Sequence, residues 1–186
     1  MNKFTILISF LAVLITTEAS ACKKSGNRAN VTAMDEGIFY ARSIPGSSLG
    51  FEGKTDIYLV GTNEDKKIDS YNWFNRNQLV LAWSPIAGKV AILRYDPENT
   101  DAALAFYMGG KFLKSYSRTE LTKFGVKSTN EFGVKSINEY CGVHLNLKLL
   151  GQEQVPNTND YVFKIEFESS GIKSFDITTG EIFSKK

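Results

Sequence analysis

Apolar and polar residues alternate along most of the chain, and one stretch stands apart because both phases of the alternation are apolar: residues 78–96, QLVLAWSPIAGKVAILRYD. Leu79, Leu81 and Trp83 interleave with Val80 and Ala82, and Val90 and Ile92 interleave with Ala91 and Leu93. A strand with two apolar faces needs cover on both, so the pattern predicts a buried β-hairpin that other strands pair with or cover. Residues 84–89 supply its turn, with Pro85 presetting the backbone at the start and Gly88 able to take a left-handed conformation at the end.

Before this hairpin, strands are predicted over residues 37–43, 55–61 and 67–74, separated by a Gly-, Ser- and Pro-rich loop at 44–54 and a turn at 62–66. After it, turn formers at 96–101 lead to residues 102–108. Three alanines there permit a helix, but Gly109-Gly110 is a two-residue hairpin signal and 111–116 alternates directly behind it, so strand is preferred. Ser117 and Glu120 have the order of a capping box, with Leu121 and Phe124 spaced i, i+3, which predicts a short helix over 118–124 ended by Gly125. Residues 124–131 and 132–139 are the same octet with Thr129 exchanged for Ile137. Two copies are too few for a solenoid and fit a lengthened surface loop. Strands follow at 141–149 and 161–168, each with one apolar face, and a hairpin over 173–183 turns on Asp176-x-x-Thr179-Gly180. That last hairpin resembles one from the propeller blades of quinoprotein dehydrogenases. It covers about a dozen residues, occurs once, and carries no residue role or cofactor across. The fold expected is mainly β, with α+β as the alternative: about ten antiparallel strands in a sandwich or a partly open barrel, with one short helix.

The first 21 residues differ from the rest. Lys3 precedes an apolar run over residues 4–15, and Ala19-Ser20-Ala21 is a small-x-small site, the layout of a cleaved secretory signal too short for a permanent membrane anchor. Residues 22–36 then read as a tether and 37–186 as a single β-rich domain. Cys22, next to the expected cut, has two readings. Ser20-Ala21-Cys22 fits the end of a lipobox, making Cys22 a lipid acceptor and the membrane a partner. Alternatively Cys22 pairs with Cys141, the one other cysteine, in an oxidising compartment, a bridge for which loop entropy allows about 4–5 kcal/mol. Asn30-Val31-Thr32 is a glycosylation sequon within the tether. With 22 basic and 20 acidic residues spread evenly, the chain offers no electrostatic case for nucleic acid.

Candidate chemistry is sparse. His144 is the sole histidine and lies on the polar face of its strand with no Ser or Cys at motif spacing. With two cysteines besides, a zinc site would need carboxylates for most of its ligands. There is no phosphate-binding glycine loop, nucleophile elbow or dinucleotide fingerprint, so no catalytic residue, metal or cofactor is assigned. The oxygen-rich residues 96–101 lack the alternation of a calcium loop and read as a turn. The stretch that stands out is 70–78, SYNWFNRNQ, where Tyr71 and Trp73 sit among Asn72, Asn75 and Arg76. Rigid amphipathic rings beside amides and a guanidinium are the composition of paratopes and sugar-binding surfaces, and these five residues form the candidate ligand site. The competing reading is a turn between strands with Tyr71 and Trp73 directed into the core. The expected function is a secreted or periplasmic, non-enzymatic β-domain binding an envelope or extracellular partner: a glycan, a small ligand or a protein. The alternatives are a small secreted hydrolase using paired acids such as Asp96 or Asp101 with another carboxylate, and a structural envelope lipoprotein anchored through Cys22.

Overall fold

The computed structural model describes residues 28–34, 37–47, 52–126, 128–130 and 143–183. Strands β1 (Asn30–Ala33), β2 (Phe39–Pro45), β3 (Gly53–Leu59) and β4 (Lys66–Tyr71) form a first sheet in that order. Strands β5 (Gln78–Ser84), β6 (Lys89–Tyr95), β7 (Leu104–Met108) and β8 (Lys111–Tyr116) form a second. Helix α1 (Arg118–Thr122) and a short ladder of β9 (Ser128–Asn130) with β10 (Val143–Leu145) lead to a third sheet of β11 (Leu147–Gln154), β12 (Tyr161–Phe167) and β13 (Gly171–Asp176). All pairings among the described residues are antiparallel.

The second sheet lies between the other two, and the pleat of its strands explains why. Val90 and Ile92 of β6, with Leu79 and Leu81 of β5, pack against Phe39, Ala41 and Ile57 of the first sheet. Ala91, Leu93 and Tyr95, with Ala82, Leu104 and Phe106, pack on the opposite side against Phe163, Ile165, Phe167 and Phe175 of the third. Every residue of β6 after Lys89 is buried. Each large side chain removed from water contributes about 1.5–3 kcal/mol, and a strand that buries both faces collects this twice. The mainly β sandwich expected from the alternation is therefore present, in three layers, and the described strands form no closed barrel.

The 78–96 hairpin forms as the pattern requires, its turn closed by Gly88 N–H donating to Ser84 O at 2.8 Å. Gly109 and Gly110 both take positive φ, 55° and 77°, the conformation of a two-residue hairpin turn, and residues 104–108 are strand. The capping box is complete: Ser117 Oγ accepts Glu120 N–H at 3.1 Å and Ser117 N–H donates to Glu120 Oε2 at 2.8 Å, although the helix stops at Thr122.

Two expectations change. The predicted tether contains β1, which pairs with β2 from Asn30 to Ala33. An edge strand held on one side needs only weak alternation, and buried Met34 and the Asn30 side chain fix this one in place. The strand predicted at 141–149 breaks at Asn146 into β10 and β11, and β11 runs on to Gln154 through a bulge between Leu149 and Gly151. The signal segment, Cys22, Cys141 and the whole of the second octet lie outside the described residues, and with them the disulfide and lipid readings.

The C-terminal hairpin closes the sandwich. Asp176 Oδ1 accepts both Thr178 N–H and Thr178 Oγ1–H at 2.6 Å, and Gly180 N–H donates to Asp176 O at 2.8 Å. Gly180 has φ 74°, and a Cβ there would stand 2.9 Å from Cβ and Cγ of the fully buried Phe106. Gly180→Ala is expected to lower stability by about 2–4 kcal/mol, from left-handed strain and overpacking together. Urea unfolding measures this; a midpoint equal to that of the parent protein would show that the hairpin is not seated on Phe106.

Candidate functional site

Residues 72–77 carry the chain from β4 in the outer sheet to β5 in the middle one. A segment passing between layers has no ladder partner, so its buried backbone acceptors need another source of hydrogen bonds. Three successive carbonyls obtain them from side chains of three different strands. Thr55 Oγ1 donates to Trp73 O at 2.8 Å, Arg94 Nη2 to Phe74 O at 3.3 Å, and Asn30 Nδ2 to Asn75 O at 2.8 Å.

Arg94 and Asp96 form the charged centre of this crossing, both buried and 2.8 Å apart. Asp96 Oδ1 also accepts Asn77 Nδ2–H at 3.3 Å, and the Arg94 guanidinium lies 4.9 Å from the Trp73 ring centroid. Arg76 pairs with Glu98 at 3.0 Å at the margin of the same region. Trp73 Nε1, Asn75 Oδ1 and Arg94 Nε are buried without a protein partner.

The rings of the segment join two that the sequence did not single out. Tyr71 and Trp73 stack at 5.2 Å, Trp73 meets Tyr107 at 5.2 Å, and Tyr107 meets Phe112 edge-on at 5.6 Å. The four run from interior to surface: Tyr71 is 4% exposed, Trp73 and Tyr107 are half-buried, and Phe112 is 57% exposed. Tyr71 Oη accepts Gly110 N–H at 3.0 Å, tying the β7–β8 turn to the first sheet. Tyr107 and Phe112 are directly opposed across the β7–β8 pair, and counting outward from Gly109-Gly110 in the sequence would have paired them.

Of the five candidate residues, the structure thus brings Tyr71 and Trp73 together in the ring cluster and leaves Asn72 exposed beside it. Asn75 is buried and Arg76 half-buried, and both serve the polar crossing. The turn at 96–101 is held from within, Asn99 Oδ1 accepting the N–H groups of Asp101 and Ala102 at 3.1 Å. Asp101 lines an open cleft of about 510 Å³ with Thr100, Arg118 and Thr119 over a floor of Val126 and Leu145; Asp101 is the sole carboxylate among its described lining residues. Among the described residues no group of three or more His, Cys, Asp or Glu is assembled to hold a metal ion. Comparison of the chain with protein-family models, curated proteins and solved structures finds no match.

Two tests follow from the crossing. Arg94→Met is expected to destabilise by about 3–5 kcal/mol by stranding the Asp96 carboxylate, and Arg94→Met with Asp96→Leu to recover much of that loss. A double variant no more stable than the single would place the loss in packing, not in charge. Burial holds the Tyr71 hydroxyl protonated up to about pH 12, against 10.0 unperturbed. Its contribution is therefore complete below pH 10 and is lost as pH rises towards 12, on the order of 2–3 kcal/mol. Tyr71→Phe should flatten the alkaline fall in stability between those values, and an unaltered pH profile would count against a buried hydroxyl.

Proposed function

We propose that the chain is an exported, secreted or periplasmic, non-enzymatic β-domain that binds an envelope or extracellular partner through the ledge made by Trp73, Tyr107 and Phe112. The observation that carries this is the exposure of Phe112 against a rigid backing. It stands on a strand at the sheet edge, braced by Tyr107, which is braced in turn by Trp73 and Tyr71. An exposed large ring that has already lost its freedom can be covered at little further entropic cost, and such rings dominate recognition surfaces. Asn72 adds an exposed amide at the same place.

The placement of the acids supports binding over hydrolysis. Both oxygens of Asp96 are engaged, one by Arg94 and one by Asn77, and Asp101 faces its cleft without a second carboxylate among the described lining residues. Export rests on residues 1–21.

Sedimentation of the purified protein with isolated cell envelopes and extracellular matrix of the producing organism tests the reading. Phe112→Ser is expected to weaken retention about tenfold while leaving the unfolding midpoint in place, because the ring is exposed and its loss opens no cavity. Equal retention of the variant, or no retention of the parent protein, would overturn the ledge as the binding surface.

A further inference from the structure

The outer face of the first sheet, turned away from the middle layer, carries a second and chemically different surface. The strand register sets Ala33, Tyr40, Tyr58 and Lys67 in one row across it, and Val31, Arg42, Asp56 and Ser70 in the next. Tyr40 and Tyr58 stack with ring centroids 5.0 Å apart and planes within 12°. Tyr40 Oη donates to Asp65 Oδ2 at 2.8 Å, and Asp65 Oδ1 accepts Gly61 N–H at 3.2 Å, so the pair is fixed in place. Beside Tyr40 across the strand pair stands the small, exposed Ala33, and Val31, 64% exposed, extends the apolar strip.

Around the rings the cations Arg42, Lys54 and Lys67 face the carboxylates Asp56 and Asp65. Asp56 accepts Ser70 Oγ–H at 2.7 Å and pairs with Lys54 at 3.2 Å, and Asp65 is held by Tyr40 and Gly61. Arg42 and Lys67 flank the tyrosines and have no ion-pair partner among the described residues. The face therefore presents a half-buried tyrosine pair with two exposed cations beside it, Arg42 and Lys67, whose nearest counter-charge, Asp56, is already engaged by Ser70 and Lys54.

We infer that this face binds an acidic polysaccharide, one sugar ring lying against the tyrosine pair and its carboxylates meeting Arg42 and Lys67. The C–H side of a pyranose is a flat apolar surface that suits an aromatic plane, and a guanidinium receives a carboxylate in a two-pronged fork. A neutral glycan leaves both cations unanswered, and an acidic peptide brings charge without a flat ring to set on the tyrosines. The surface is separate from the Phe112 ledge, and either can fail without the other.

Affinity electrophoresis in gels cast with polygalacturonate, dextran or poly-L-glutamate decides the matter. The expected result is retardation by polygalacturonate that weakens with added salt, and none by dextran. Arg42→Gln with Lys67→Gln, and separately Tyr58→Ser, should each weaken it about tenfold, whereas Phe112→Ser should leave it intact. The charge variant alters exposed groups and keeps the test valid should Tyr58→Ser unfold. Four results would overturn the inference: no retardation by polygalacturonate, equal retardation by poly-L-glutamate, equal retardation by dextran, or sensitivity to Phe112→Ser with none to the charge variant.

Discussion

Strand β6 has apolar side chains on both faces, and both must be removed from water. One sheet cannot do this alone, since a two-layer sandwich covers only the inner face of each sheet. The chain meets the requirement by placing four strands before the hairpin on one side and three strands after it on the other, so that order in sequence becomes order in layers. The remaining features are consequences. The chain must pass from an outer layer to the middle one at residues 72–77, and its C-terminal turn must seal the far side against Phe106.

The passage between layers is where polarity enters the interior. Backbone groups that leave a ladder inside a protein are costly unless paired, and here Thr55, Arg94 and Asn30 each reach one of three consecutive carbonyls. Arg94 brings a charge that Asp96 must balance, and Asn77 then takes the remaining oxygen of Asp96. The network orients Trp73 from below, and Trp73 in turn supports Tyr107 and, through it, Phe112. Interior electrostatics thus end in a ring held still at the surface.

How much of this was legible in the sequence depends on whether the signal was local. Residues 78–96 announce a doubly buried hairpin, Gly109-Gly110 a tight turn, and Ser117 with Glu120 a helix start, because each is decided by near neighbours. β1 was missed because its hold comes from pairing with β2 and from a hydrogen bond across 45 residues to Asn75. The segment SYNWFNRNQ illustrates a deeper ambiguity. Rings among amides compose a paratope and equally a seam between layers, and only the fold shows that Tyr71 and Asn75 belong to the seam while Asn72 stays at the surface. Tyr40 and Tyr58, 18 positions apart, become neighbours solely through strand register.

The interior seam fixes the Trp73, Tyr107 and Phe112 ledge, the proposed binding surface. Oxidative footprinting of the protein free and bound to envelope material tests that role directly, because solvent-exposed aromatic side chains react and covered ones do not. Expected is a loss of reactivity at Phe112 and Tyr107 on binding, with buried Phe163 and Phe175 unreactive in both states. Binding that leaves Phe112 as reactive as in the free protein would contradict it.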